Sequence, residues 1–204
     1  MLDKAIQRAL KPLMTRAARG MVRLGVGADA ISLAGFAVGM GAATAIALQH
    51  DWVGLALLLI SRLMDGLDGA VARATQPTDR GGFLDITLDF LFYASIPLAF
   101  AIAEPAQNAL PAAVLLAAFI GTGSSFLAFA VLAERRGLKS LAYPGKGLFY
   151  LGGLTEATET LVCFVAMCLW PALFAPLALG FAGLCALTLL ARLRAGWLAF
   201  GPAR

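Results

Sequence analysis

Charge is scarce in this chain: Asp, Glu, Lys and Arg make up 14% of its 204 residues, against 60% hydrophobic residues. Mean hydropathy is +0.83. Soluble domains average about 45–50% apolar residues, and one of this size has too little interior to hide the excess. Hydrocarbon must serve as solvent, so one integral membrane domain without an appended soluble domain is expected. Histidine occurs once, as His50, and cysteine three times, as Cys163, Cys168 and Cys185. The cysteine spacing suits no thiolate metal site, and an odd set in apolar stretches is poor disulfide material. These cysteines read as small apolar side chains in helix packing, and His50 as a loop residue. Repeats and low-complexity segments are absent, and no cleavable signal peptide is expected, because no small-residue cleavage pattern follows a short apolar core.

A helix that crosses the hydrocarbon core needs about 20 mainly apolar residues. Six stretches qualify, at 30–49, 52–74, 83–104, 109–133, 152–172 and 175–197. The predicted fold is therefore all-α and integral to the membrane, with six transmembrane helices over residues 30–204. Residues 1–29 differ in kind. Leu2, Ile6, Leu10 and Leu13 follow a helical spacing with Lys4, Gln7, Arg8 and Lys11 off the stripe. This suits an amphipathic helix lying in the headgroup plane, with Pro12 expected to kink or break it.

Lys and Arg are missing from three of the connections, around Asp51, around 105–108 and around Pro171. They gather before the first span, between spans two and three (Arg73, Arg80), between spans four and five (Arg135, Arg136, Lys139, Lys146) and at the chain end (Arg192, Arg194, Arg204). Positive charge favours the cytoplasmic side, so both termini are expected there, in a bacterial-type inner membrane. Arg62, inside span two, is the exception. The net charge of +4 follows from this asymmetry. Anionic lipid is the expected counter-charge and nucleic acid is not an expected partner, because the bases flank spans instead of forming one patch.

The informative stretch is RLMDGLDGAVARATQPTDRGGFLDITLDF, from Arg62 to Phe90. Asp65 and Asp68 are three apart and Asp85 and Asp89 four apart, so each pair shares a helix face. The connection between spans two and three is short and holds Pro77, Gly81 and Gly82, which makes the spans antiparallel neighbours and lets the pairs converge on the cytoplasmic side. Four carboxylates at partial membrane depth repel one another and are costly to desolvate. Protonation relieves this for some of them, whereas a pair of divalent cations relieves it for all. Oxygen-only ligands suit Mg2+ or Mn2+ better than zinc, and such ions bind phosphates. Gly66, Gly69, Ala70 and Ala72 strip bulk from the same span, so a helix or a flat ligand can approach the backbone.

Asp65-x2-Asp68-Gly69-x2-Ala72-Arg73 followed by Gly81-x3-Asp85-x3-Asp89 resembles the signature of the CDP-alcohol phosphatidyltransferases, with eight fixed residues across 25 positions. The turn from Arg73 to Gly81 is shorter than that family commonly has. The resemblance implies a six-helix membrane enzyme, usually a homodimer, that displaces CMP from a CDP-linked lipid donor with an acceptor alcohol, using two divalent metals. It implies Asp65, Asp68 and Asp85 as metal ligands, and Asp89 as ligand, catalytic base or both. It also implies Gly69, Ala72, Arg73 and Thr78 on the nucleotide side, with Arg73 either pairing with a motif acid or facing the diphosphate.

Secondary signals leave alternatives open. Glu156 and Glu159 enter span five, where they either contact an acceptor alcohol, pair with Arg62 or Lys146, or cap the helix. Arg135 and Lys146 either bind an acceptor phosphate or are ordinary inside-facing bases. Gly121 to Ser125 in span four, like Gly35 and Gly39 in span one, read as close helix packing. A cation-coupled transporter would spread its acids along a path through the membrane, whereas these acids gather at one side. A lipid-binding protein that keeps the motif without turnover is the other rival.

Overall fold

A computed structural model describes residues 2–137 and 154–201, with side chains from Pro12 onward. Lys139, Lys146, Arg204 and the side chains of the stripe from Leu2 to Lys11 lie outside the described residues. The described chain is helical: α1 (Leu2–Arg23), α2 (Ala28–Ala47), α3 (Asp51–Ala74), α4 (Asp79–Ala103), α5 (Pro105–Arg135), α6 (Ala157–Leu169) and, after a 3-10 turn at Pro171–Leu173, α7 (Phe174–Phe200).

Each of the six apolar stretches meets a helix. Four helical segments, Ala28–Ala47, Asp79–Ala103, Pro105–Arg135 and Pro171–Phe200, are long and apolar enough to cross a membrane. Helix α3 has 24 residues and the necessary length, but Arg62, Asp65, Asp68 and Arg73 interrupt its apolar run. Helix α6 is shorter than the expected span, at 13 residues. At about 1.5 Å per residue it covers roughly 20 Å, less than the hydrocarbon core. Its start is fixed at Ala157 by a reciprocal cap, described below.

Pro12 does not break α1, which runs through it. Gly25 ends the helix region in a left-handed conformation (φ 73°), a geometry open to glycine without steric cost. Beyond the expected interfacial role, α1 packs on the bundle: Met14, Ala18 and Met21 meet Ile31 of α2 and Ala70 and Val71 of α3 in a small apolar cluster. The larger core lies elsewhere, where Ile46, Leu58, Phe92, Ile96, Phe100, Leu115, Phe164 and Phe174 are fully or almost fully buried. Phe100 stacks on Phe174 with ring centres 4.7 Å apart. Cys168 and Cys185 are buried in this core and all three cysteines are free thiols.

The outer surface carries many large apolar side chains. Trp52, Leu110, Ile120, Leu190 and Trp197 are exposed, while Ser61, Asp68, Asn108 and Thr188 are buried. A water-soluble protein would not tolerate this outward apolar belt, and a bilayer requires it.

Small residues set the helix spacing. A Cβ on Gly39 would lie 2.7 Å from the Phe92 ring and 2.9 Å from Ser61 Oγ, so α2 sits directly on α3 and α4. A Cβ on Gly123 would collide with the ring of Phe90, and one on Gly121 would lie 2.8 Å from Leu189. The hydroxyls of Thr122, Ser124 and Ser125 bond to carbonyls of their own helix. The Gly121–Ser125 notch thus serves packing of α5 on α4 and α7. Gly123→Ala is expected to destabilise the protein by about 1–3 kcal/mol through overpacking. Gly180→Ala, where nothing lies within 4 Å, should be neutral or slightly stabilising; thermal unfolding of both variants in detergent checks the contrast.

Candidate active site

The site forms where α3 ends and α4 begins. Thr78 opens α4 by capping it, its Oγ1 accepting the Gly81 N–H at 3.0 Å, and Asp79 follows in the first turn, where the helix dipole favours an acid. Thr75 closes α3 by donating its hydroxyl to the Val71 carbonyl at 3.0 Å. Arg80 Nε and Nη2 both donate to Asp29 Oδ2, at 2.7 and 2.6 Å, tying the turn to the start of α2.

Helices α3 and α4 are consecutive, yet their backbones barely approach one another; α2 packs against both instead. Side chains bridge the space between α3 and α4, Arg62 reaching both Asp89 and the Phe92 ring, so the two helices are neighbours across a gap without close backbone packing. Close approach would press the two carboxylate pairs together, and the gap between them is a cleft walled by α2, α3 and α4. Asp65, Asp68, Asp85 and Asp89 all line it, with Ser32, Ser61 and Arg62.

Within the cleft, Asp65, Asp68 and Asp85 each offer a carboxylate oxygen, and these oxygens lie within 4.8 Å of one another. Asp68 is buried and accepts a hydrogen bond from Ser32 Oγ on α2. Asp65 is partly buried and Asp85 exposed, so the trio opens from a buried floor to an accessible rim. Three oxygen donors at this separation fit a divalent ion such as Mg2+ or Mn2+, whose positive charge would offset their mutual repulsion.

Asp89 stands beside the trio, paired with Arg62. Arg62 Nη1 donates to Asp89 Oδ1 at 2.6 Å and lies 3.7 Å from Asp65 Oδ1. The guanidinium carbon sits 3.8 Å from the centre of the Phe92 ring and 5.7 Å from that of Tyr93. Nη2 reaches Ser61 Oγ at 3.4 Å. The sequence marks Arg62 as the exception to the charge asymmetry and as a possible partner of Glu156 or Glu159, not as a partner of the motif acids. Its position three residues before Asp65 was the signal that it belongs with the acids. Ser32 and Asp29 were also missed, since nothing near either of them in the sequence points to α3 or α4.

On the nucleotide side, Gly69 and Ala72 are partly buried on α3 and Thr78 is exposed. Arg73 folds back over Gly69, where a Cβ would lie 3.1 Å from Arg73 Nη1. Among the described residues no acid forms an ion pair with Arg73, which leaves its guanidinium over the small-residue face.

Of the acceptor-side candidates, Glu156, Glu159 and Arg135 are described and Lys146 lies outside the described residues. Glu156 and Glu159 form a reciprocal capping box at the start of α6, with the Glu156 N–H donating to Glu159 Oε2 at 3.2 Å. Arg62 is engaged with Asp89 and Asp65, and the contact the two glutamates make here is the cap. Arg135 ends α5, exposed. Arg192, expected among solvent-facing bases at the chain end, is buried instead: its Nη1 donates to the Thr122 carbonyl at 2.9 Å and its guanidinium lies 5.6 Å from the Phe126 ring. Its position on α7 faces α5, and the long side chain reaches the polar notch there.

The chain is similar to known proteins in sequence and in fold. The profile of the CDP-alcohol phosphatidyltransferase family matches residues 26–193. The inner membrane protein YnjF of Escherichia coli is 49% identical over 198 residues, covering 97% of this chain and 96% of that protein. Archaetidylinositol phosphate synthase of Pyrococcus horikoshii is 35% identical over 97 residues, 47% of this chain and 51% of that one. Crystal structures of Mycobacterium tuberculosis phosphatidylinositol phosphate synthase share the fold at 21% identity. One, with CDP-DAG bound, has a TM-score of 0.71 and covers 95% of this chain and 99% of that chain. Another, with manganese and citrate, has a TM-score of 0.73 and covers 94% and 93%. With its acidic motif gathered in one cleft and a family match that spans most of its length, this membrane protein belongs to the CDP-alcohol phosphatidyltransferase family.

Proposed function

We propose that the chain transfers a phosphatidyl group from a CDP-linked lipid donor to an alcohol acceptor and releases CMP. The convergence of the Asp65, Asp68 and Asp85 oxygens within 4.8 Å, on the motif of a family member, carries this reading. Two divalent ions, Mg2+ or Mn2+, held by these residues would polarise the donor diphosphate and offset the charge of departing CMP. The chain's own residues do the rest. Gly69 and Ala72 leave room for the nucleotide, and Arg73 supplies positive charge beside it. Thr78 holds the start of α4 in register. Asp89 takes the acceptor's hydroxyl proton as the acceptor oxygen bonds to the β-phosphorus and the bond from that phosphorus to CMP breaks.

The membrane setting belongs to the same proposal. All six apolar segments cross the bilayer, α6 being completed by residues beside it, and both termini and the cleft face the cytoplasm. Helix α1 lies at the interface and braces α3. Two copies form the working unit, as the family resemblance implies. A transporter is disfavoured because the acids line one cleft instead of a path. A lipid-binding protein without turnover is separated from an enzyme by whether CMP appears.

For the acceptor, phosphorylated polyols deserve testing first, because two relatives are named as synthases of inositol-phosphate lipids. Arg135 and Lys146 would meet such a phosphate.

Purified protein with CDP-diacylglycerol, an inositol phosphate and Mg2+ or Mn2+ is expected to release CMP. Chelation should stop the reaction, and Asp65→Asn or Asp85→Asn should lower kcat by at least ~100-fold, the scale for lost transition-state electrostatics. Absence of CMP with every acceptor, despite binding of the CDP-lipid, would favour the non-catalytic rival. A panel of acceptors separates the two readings of the glutamates. Glu156→Ala should lower thermal stability by about 0.5–2 kcal/mol, the usual cost of a lost cap, and leave the ranking of acceptors unchanged. A reordered ranking would place Glu156 at the acceptor.

A further inference from the structure

We propose that Arg62 is a positioning residue for Asp89, holding that carboxylate apart from the Asp65–Asp68–Asp85 trio and serving as a fixed cation that tempers the trio's hold on divalent ions. The inference rests on the phosphatidyl-transfer reading for its catalytic half, and on geometry alone for its metal-binding half.

An arginine inside an apolar helix is costly and calls for a reason. Arg62 is held on several sides. Its side chain is 12% exposed, the Phe92 ring supports its flat face, and Ser61 Oγ accepts from Nη2. Its Nε is buried with no hydrogen-bond partner, so the guanidinium gives up one donor to place Nη1 on Asp89. A side chain serving only as a counter-charge would not need this orientation, and a planar guanidinium supplies it where a flexible ammonium does not.

Two consequences follow. Asp89 Oδ1 is committed to Arg62, which leaves Oδ2 as the oxygen that receives the acceptor's proton. The acceptor's O–H bond breaks as its oxygen bonds to phosphorus, the proton goes to Oδ2, and CMP leaves with the electrons of the broken phosphorus–oxygen bond. Secondly, Arg62 places a full positive charge 3.7 Å from Asp65 Oδ1, on the edge of the trio. That charge repels an incoming cation, so its removal should tighten metal binding while it disorders the base.

The test uses full-length protein in detergent or nanodiscs, with Arg62→Gln and Arg62→Lys beside the wild type. CMP release gives kcat and the donor KM, and electron paramagnetic resonance titration gives the Mn2+ Kd. For Arg62→Gln, kcat should fall about ten- to a hundredfold, the scale of a charge-assisted hydrogen bond, with donor KM within about threefold. The Mn2+ Kd should drop on the order of tenfold, as expected when a like charge within about 4 Å is removed from a partly screened site. Arg62→Lys should keep the Mn2+ Kd near the wild-type value and recover at least about fivefold of the lost kcat, since it retains the charge and one donor. A merely structural Arg62 would weaken Mn2+ binding together with kcat, and Lys would do no better than Gln; either result overturns the proposal, as does wild-type kcat in Arg62→Gln. If Arg62→Gln does not fold, Arg62→Lys decides: a severalfold lower kcat at unchanged Kd supports the proposal, and a lower kcat with a raised Kd, or no change in either, overturns it. If the wild type releases no CMP, the transfer reading fails separately, and the Mn2+ titration alone decides the role of Arg62: tightening on Arg62→Gln supports it, and an unchanged or weaker Kd overturns it.

Discussion

Mutual repulsion among four aspartates that share one cleft is the constraint around which this protein is arranged. Two come from the end of α3 and two from the start of α4, and all line the same gap. In water such a cluster would be dispersed by solvent. Between packed helices it needs positive charge, hydrogen-bond donors and space. Each is present: Arg62 holds Asp89, Ser32 donates to Asp68, and α2 keeps α3 and α4 from closing on one another. The glycines of α2 belong to this arrangement, because close seating of Gly35 and Gly39 on α3 and α4 brings the Ser32 side chain to the cleft floor.

The division of labour among the acids follows from their surroundings. Asp68 is buried and anchored, Asp85 opens to the surface, and Asp65 lies between them, so a ligand meets the trio from the rim inward. Asp89 is drawn to a cation of the protein's own. Groups with identical chemistry are thereby given different surroundings, which is what the proposed division between holding a charged donor and accepting a proton requires of one helix pair. Above the cleft, Arg73 over Gly69 and Arg80 on Asp29 supply positive charge and tie the turn down, without entering the acidic cluster.

Much of this was legible in the residues. The apolar runs located the helices to within a few positions, because hydrocarbon demands length and composition that short sequence windows report directly. The spacings of Asp65 with Asp68 and Asp85 with Asp89 placed each pair on one face, and the family that their signature resembles is matched over residues 26–193. What stayed hidden depends on contacts between segments far apart in sequence. Ser32 precedes Asp68 by 36 residues, and no local pattern ties them. The short α6 follows from a capping box whose two glutamates read equally well as site acids. Arg192 looked like a terminal base because charge counting ignores which face of a helix a residue occupies; on α7 that face turns to α5. Pro12 leaves α1 unbroken.

The most direct test of the account is electron paramagnetic resonance of the purified protein loaded with Mn2+. Two bound ions that share the carboxylates of α3 and α4 should give a spin-coupled signal at two equivalents, absent from Asp65→Asn and Asp85→Asn protein. An isolated-ion spectrum at saturation, or binding indifferent to those substitutions, would contradict it.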